Sequence, residues 1–428
     1  MSAWVVVDLG FGDSGKGTIT DFLVRETGAR VVVRWNGGAQ AGHTVVTDDG
    51  RVHTFSQFGA GSFVPGVETF LSERMVIHPT AMLVEARYLE RVDVRDALSR
   101  VRIAERARVI TPWHQSANRA RESARGAGRH GTCGVGFGEA VRDALESDDV
   151  VRAGDLREIT RLRAKAERAR ARVWASLSEE RAALGEAHAE LAIFGDRELV
   201  ARWCEAAAQL ASNVVADDAL DAVLRDERDV VLEGAQGVLL DQRFGFHPHT
   251  TWSDCTARGA RELLAQHGHR DETTVLGVLR TYPTRHGEGP FPTEDRGLRL
   301  PEPHNDARGW QGTFRVGHPD LVLARYAARV CGGVDALAIT HLDRTAALDR
   351  VATSYEWADD RELFVHDAHG RAIDLREGDL DHQARLGRAL REVTPRYEPL
   401  DGSPMELLGV PIAITSSGPT ASAKRWRR

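Results

Sequence analysis

Three short glycine-rich segments hold the residues best placed to do chemistry. The first is Gly10-Phe11-Gly12-Asp13-Ser14-Gly15-Lys16-Gly17-Thr18, which satisfies the Gly-x4-Gly-Lys part of a phosphate loop, with Gly17 where Ser or Thr is usual. Glycines let backbone N–H groups converge on a phosphate at the positive end of a helix, and lysine adds a point charge. A tight strand-to-helix turn would use the same glycines. Lysine usage decides in favour of phosphate: among 56 basic residues only Lys16, Lys165 and Lys424 are lysine, so a compact ammonium is the exception here. Lys165 falls in a charged helix and Lys424 in a basic tail, where chance explains them. Asp13 is the unusual member, because a carboxylate in an anion cradle repels phosphate. It makes sense as a ligand of Mg²⁺, which also binds phosphates, or as a base that takes a substrate proton. Its structural alternative is the N-cap of the following helix.

The second segment is Trp35-Asn36-Gly37-Gly38-Ala39-Gln40-Ala41-Gly42-His43-Thr44. Small residues here permit close approach to a ligand, and His43 stands where α/β sheets bind ligands, at the end of a strand. The third is Glu233-Gly234-Ala235-Gln236-Gly237, in which Gln236 can present its amide to a carbonyl and ring N–H pair. His247-Pro248-His249 has poor spacing for a metal and reads as a surface loop.

The elements that must position these segments follow from periodicity. Residues 3–9 read as a buried strand, followed by a glycine-rich turn and a helix near 16–27, then a second strand from Val31 to Trp35. Asp48-Asp49-Gly50 reads as a hairpin turn. Further short strands are expected at 75–78, 107–110, 229–233, 274–279, 335–340 and 410–415, with helices at 81–92, 114–124 and 318–330. This alternation predicts an α/β fold with a mostly parallel, doubly wound central sheet of the phosphate-loop type. Residues 155–227 are rich in Ala, Arg and Glu and read as a helical insertion, with long helices from Arg161 to Leu184 and from Asp196 to Ser212. Residues 349–374 alternate like a small antiparallel excursion.

Composition narrows the class. The 428 residues are 42% hydrophobic and 28% charged, which excludes wholesale disorder. A net charge of −7 speaks against a nucleic-acid coat, and no apolar run is long enough for a membrane span. Cys133, Cys204, Cys255 and Cys331 fit neither a zinc pattern nor a disulfide framework. Together with an N-terminus lacking the basic region of a signal peptide, this leads us to expect a cytoplasmic protein.

Six blocks stand in a familiar order. The three segments above are followed by Gly287-Glu288-Gly289-Pro290-Phe291-Pro292-Thr293-Glu294, Thr340-His341-Leu342-Asp343 and Ser416-Ser417-Gly418-Pro419. The chain resembles the adenylosuccinate synthetase family over essentially its full length, 1–428 as one α/β domain. The resemblance implies a ligase that uses GTP and Mg²⁺ to join aspartate to C6 of a purine, by phosphorylating the C6 oxygen and displacing it with the amine. It implies that Asp13 removes the purine N1 proton, His43 donates to the phosphoryl oxygens and Gln236 holds the C6 oxygen. GTP would meet Gly12, Ser14, Gly15, Lys16, Gly17, Thr18, Gly42 and Thr44, with His341, Asp343, Ser416 and Gly418 at the guanine. Mg²⁺ would use Asp13 and the Gly42 carbonyl. Aspartate would meet Thr313 and Arg315, the acceptor Gln40, Thr132, Cys133 and Thr251. A homodimer with small-molecule partners, and no nucleic acid or membrane, also follows from the resemblance.

The departures cluster at one end. Gln40 and Cys133 replace Asn and Thr of the family pattern, and His341 replaces Lys. The arginine that a neighbouring subunit of the family lends to the nucleotide phosphate has no counterpart here, where the region reads Glu146-Ser147-Asp148-Asp149 and is acidic, and Arg315 alone remains of an arginine-rich aspartate loop. Three functions compete: a ligase for a non-standard purine or nucleoside, the housekeeping ligase for inosine monophosphate with Arg119, Arg121 or Arg125 compensating, and a GTP-binding switch. The clustering favours the first. Retention of Asp13, His43 and Gln236 argues against the switch, which needs none of them.

Overall fold

The computed structural model describes residues 2–226, 228–300, 302, 305, 310–357, 362–367, 370–400 and 404–427. Its centre is strand β1 (Ala3–Asp8), where five of six residues are buried. An apolar run covered on both faces is what a central parallel strand needs. β1 pairs in parallel with Val230–Glu233 on one side and Thr273–Arg280 on the other. Beyond Val230–Glu233 come β2 (Val31–Arg34), Glu68–Leu71, Val101–Ala104 and Val214–Val215, all parallel. Beyond Thr273–Arg280 come Ala336–Thr340, Ile412–Ser416 and finally Lys424–Trp426, which alone runs antiparallel. The chain thus winds outward from β1 one way, returns, and winds out the other way. The crevice at the C-terminal ends of the strands where winding reverses is the usual ligand position in such sheets. Asp8, Arg34, Glu233 and Thr340 all end strands there.

Helix α1 (Lys16–Thr27) follows the first glycine segment. It starts at Gly15 (φ 94°) and stops at Gly28 (φ 70°), whose N–H bonds the Val24 carbonyl. The expected hairpin is β3 (His43–Val46) with β4 (Val52–Phe55). Other helices lie at Pro79–Arg91, Pro112–Arg125 and Leu321–Val330, close to expectation.

Several expectations need correction. The strands placed at 75–78 and 107–110 shrink to the parallel pair Val76–Ile77 and Arg108–Val109, outside the main sheet. Main-sheet places are taken instead by Glu68–Leu71 and Val101–Ala104, each too short to show a period, so burial between neighbouring strands rather than pattern makes them strands. The helix expected from Arg161 to Leu184 is two, Ile159–Ala175 and Ser178–Leu184. Between them Leu177 is fully buried and the Ser176 hydroxyl bonds the Val173 carbonyl at 2.8 Å, which satisfies a terminal acceptor and ends the first helix. The second long helix is Arg197–Ala207, continued by a 3₁₀ turn, and the stretch read as helical insertion also supplies edge strand Val214–Val215. The antiparallel excursion is two ribbons, and Arg350–Glu356 pairs with Thr394–Pro399, outside the expected bounds. Among the described residues no helix is long and apolar enough to cross a membrane.

Candidate active site

The phosphate loop is shaped from beneath by a carboxylate. Asp8, almost fully buried at the end of β1, accepts from the Gly10 and Ser14 amides (2.9 and 3.0 Å), the Ser14 hydroxyl (2.8 Å) and the Lys16 ammonium (3.0 Å). Two loop amides and the lysine are therefore already engaged. An incoming phosphate is left the first-turn amides of α1, which helix geometry leaves without a carbonyl partner, and a share of Lys16. Gly17 departs from the usual Ser or Thr for a steric reason: a Cβ there would lie 2.7 Å from the Cβ of His43. The Thr18 hydroxyl donates to the Pro419 carbonyl at 2.7 Å.

Asp13 is not a helix cap, since α1 has no side-chain cap. It sits in the left-handed region (φ 59°) with its carboxylate about a third exposed, 3.4 Å from Nε2 of His286. Burial raises its carboxyl above the usual range, against the pull of His286, Arg280 and Lys16. Arg280 also donates to the Asp13 carbonyl at 3.2 Å.

His43 is held by a residue the sequence reading passed over. Its Nδ1 lies 2.7 Å from Oε1 of Glu233, whose other oxygen accepts from the Ala60 amide at 3.0 Å and stands 3.9 Å from Arg34. Burial opposes the charge on Glu233, but His43, Arg34 and the Ala60 amide keep it below the usual carboxylate range. Burial also pushes His43 down to about 4, although Glu233 pulls the other way. The imidazole is thus neutral, its proton on Nδ1 facing Glu233. Nε2 is buried with no partner. This is the orienting logic of a catalytic triad's acid and histidine.

Gln236 (φ 63°) is packed against the same loop, because a Cβ on Gly237 would lie 2.2 Å from the Gly10 carbonyl and the Gly12 amide. Its amide donates to the Thr251 hydroxyl at 2.9 Å. Asp13, Lys16, His43, Gln236 and Thr251 therefore converge. Gly42 abuts Thr54, and the Thr44 and Thr54 hydroxyls bond at 2.9 Å. The Gln40 amide is buried with neither atom paired.

At the other flank, Thr340 donates to the Ser14 carbonyl at 2.7 Å and carries the next residues to the loop. His341 (φ 60°) bonds Thr340 through Nδ1 at 2.9 Å and is pushed down to about 2 by burial beside Arg280, Arg344 and Lys424. The Asp343 carboxylate accepts from Nε of Arg344 at 2.8 Å. The Ser416 hydroxyl donates to the Gly418 carbonyl at 3.1 Å.

The tail of the acceptor region is different in kind. Glu122, fully buried, accepts from the Gly131 amide at 3.0 Å and the His130 and Thr132 amides at 3.3 Å, and takes Arg125 at 2.6 Å. Asn118 donates to the Thr132 hydroxyl at 3.0 Å, and burial pushes the Cys133 thiol up to about 11. Arg121 is paired with Glu180 at 2.7 Å and Glu139 at 3.2 Å. Arg119 donates to the Gly134 carbonyl at 2.8 Å. The three arginines considered as compensating phosphate ligands are thus engaged. The acidic stretch is partly neutralised as well, since Asp149 pairs with Arg168 and Arg172. Arg315 donates to Glu294 and to the Gly289 carbonyl, both at 3.0 Å, and the Thr313 carbonyl accepts from the Gly287 amide at 2.9 Å. The exposed Arg129 lies over the Trp310 ring and makes no ion pair among the described residues.

Asp8, Glu233, His286 and Lys424 are the site residues the sequence reading did not single out. Asp8 and Glu233 had a usable signal, a carboxylate ending an otherwise apolar strand in front of a glycine turn. His286 had none, and Lys424 only the rarity of lysine in this chain.

A doubly wound sheet with a phosphate loop, an oriented histidine and a partly buried carboxylate at its switch point defines a nucleotide-dependent transferase or ligase. The sequence model described as adenylosuccinate synthetase matches residues 5–402. Adenylosuccinate synthetase of Shouchella clausii is 34% identical, covering 96% of this chain and 90% of that protein. That of Synechococcus sp. strain CC9311 is 35% identical, covering 98% and 95%. Among solved structures, adenylosuccinate synthetase from Plasmodium falciparum, fully ligated, superposes with a TM-score of 0.75 at 20% identity, covering 99% of each chain. Cyanophage S-2L succinoaminodeoxyadenylate synthetase, bound to dGMP and to dATP as an energy donor, superposes with a TM-score of 0.60 at 18% identity, covering 99% and 95%. The chain belongs to the adenylosuccinate synthetase family, GTP- and Mg²⁺-dependent ligases that attach aspartate.

Proposed function

We propose that the chain joins aspartate to the lactam carbon of a purine-like acceptor other than inosine monophosphate. Asp13 takes the ring N–H proton as the lactam oxygen attacks the γ-phosphorus of GTP, and GDP departs. The amine of aspartate then adds at the phosphorylated carbon and expels phosphate. A carbonyl oxygen leaves poorly and phosphate leaves well, which is why the first transfer is needed. The raised carboxyl of Asp13 suits a base that must hold a proton through the step. With Nδ1–H donated to Glu233, His43 can donate from Nε2 only after gaining a second proton. A phosphoryl group arriving beside it supplies the negative charge that favours the imidazolium, so the donor forms where the transferring oxygens need it. Gln236, steadied by Thr251, holds the lactam oxygen in line.

Mg²⁺ fits the donors available: the Asp13 carboxylate and the Gly42 carbonyl are hard oxygen ligands, and no group of three His, Cys, Asp or Glu among the described residues offers a rival all-protein cage. When bound, the metal neutralises charge on the phosphate oxygens.

The observation that carries the choice of acceptor is the engagement of the tail-end cations. Arg119, Arg121 and Arg125 each satisfy a protein carboxylate or carbonyl, and Cys133 stands where a hydroxyl would help a phosphate. A phosphate dianion needs fixed donors, and these have been assigned elsewhere. That a relative of this fold binds dGMP is in keeping with a changed acceptor. Housekeeping synthesis from inosine monophosphate is the second reading, favoured by the exposed Arg129, which lies over the Trp310 ring and makes no ion pair among the described residues. A homodimer belongs to either reading.

Phosphate release with GTP and aspartate decides between them, comparing inosine monophosphate with dGMP and free purine nucleosides. We expect weak turnover with inosine monophosphate. A kcat/KM for it above roughly 10⁴ M⁻¹s⁻¹, the lower end of ordinary enzymes, would establish the housekeeping reading.

A further inference from the structure

Lys424 opens the last strand of the sheet and is 1% exposed. Its ammonium donates to three successive carbonyls of the connection before it, Gly418 (3.5 Å), Pro419 (3.3 Å) and Thr420 (2.7 Å). The same Pro419 carbonyl takes the Thr18 hydroxyl from α1, two residues past Lys16. The turn is closed further by the Ser417 amide on the Ala423 carbonyl (3.1 Å) and the Ala423 amide on the Thr420 carbonyl (3.2 Å). A single ammonium directs its three donors from one compact point at the carbonyls of three successive residues, where the wider planar guanidinium that this chain uses nearly everywhere else would spread them over a fork. Burial pushes Lys424 down to about 8, with Asp21 and Asp48 pulling it back up.

We propose that Lys424 is a positioning residue for the nucleotide base: it holds the Gly418–Thr420 turn in shape, and through Pro419 ties it to the helix that begins the phosphate loop. This rests on the reading that guanine lies between Asp343 and Ser416–Gly418. The base end of the site is then set before nucleotide arrives, so little ordering is charged against binding. Lys424 touches no substrate. Its effect is on the loop that does.

The test is isothermal titration of the full chain with Mg²⁺, using GTP and inorganic tripolyphosphate as probes. Lys424→Met is expected to weaken GTP about tenfold and leave tripolyphosphate within about twofold, because the phosphate end keeps its own contacts. Equal weakening of both probes means the residue acts on overall structure only. No weakening of GTP means it positions nothing. Either result overturns the inference. Should the Met variant not fold, Lys424→Arg is read by the same criterion, since it keeps the charge but not the three-carbonyl geometry. Asp343→Asn separates the two layers. If it weakens GTP while the Lys424 variant does not, the Lys424 inference alone fails. If neither variant matters, the location of the base fails with it.

Discussion

The reacting end and the tail end of this site use polar side chains in opposite ways. Around Asp13, His43 and Gln236 the polar groups are oriented from behind and left open in front. Glu233 grips one nitrogen of His43 and leaves Nε2 bare, and Thr251 steadies Gln236. Around Thr132 and Arg315 the charges are closed on one another: Glu122 with Arg125, Glu180 with Arg121, Glu294 with Arg315. An open, oriented group can act on a substrate at no further cost. A paired one must first be separated from its partner, which in a half-buried setting takes several kcal/mol. Polar side chains are thus reagents at one end and scaffold at the other.

The largest effect expected from breaking this contrast is at Asp13. Asp13→Asn removes the base and a metal ligand, so turnover measured by phosphate release should fall by at least ~10³-fold. GTP binding by calorimetry should stay within about tenfold. Activity near wild type would dismiss Asp13 as the base. Glu233→Gln comes next. It keeps the shape but removes the charge that supports an imidazolium, and kcat should drop ~10²-fold or more with the KM for GTP little changed, by analogy with the orienting acid of a triad. A kcat within threefold of wild type would show that His43 needs no such support.

At the tail end the expected effects are small. Arg129→Ala should change acceptor KM by less than about threefold if no anionic tail is read there. A tenfold rise, ~1.4 kcal/mol, would mean that Arg129 is a ligand and would turn the contrast on its head.

The last effect is one of stability and a matter of pH. Asp241 accepts from the Arg243 amide (2.7 Å), the Phe244 amide (3.2 Å) and the Cys255 amide (2.7 Å), bracing the loop between Gln236 and Cys255. Burial, with Asp254 nearby, raises it to about 7. A carboxyl whose folded pKa lies above its unfolded value favours the folded state at low pH. That stability is fully present below about pH 4 and is lost as pH rises through 7. Between pH 5.5 and 8.5 the protein should therefore lose up to about 2 kcal/mol that Asp241→Asn does not. Parallel Tm–pH curves for the two proteins would remove Asp241 as the source.

Much of the fold was legible because central parallel strands are apolar throughout and end in glycine turns. β1, β2 and Val230–Glu233 announce themselves that way, and the catalytic segments follow them. Glu68–Leu71 and Val101–Ala104 did not, being four residues each and strands only because neighbours cover them. In the site, Asp13, His43 and Gln236 could be picked out since each stands beside glycines that admit a ligand. Their supports could not, because Glu233 lies 190 residues from His43 and His286 far from Asp13 in the chain.

The lysines show where the division falls. Sequence alone singled out Lys16 by its glycine loop and left the other two to chance. In the folded chain Lys165 is tied to Asp155 at 2.9 Å and to the Val150 carbonyl at 3.0 Å, Lys424 to three carbonyls, and Lys16 to Asp8. Residue type and spacing determine which backbone turns can form and which groups can react, since both depend on neighbours a few positions away. Which acceptor a cation meets depends on the sheet order that brings distant strand ends together. Tertiary packing of ribbon, hairpin and sheet decided that Arg315 faces Glu294 and that His43 faces Glu233.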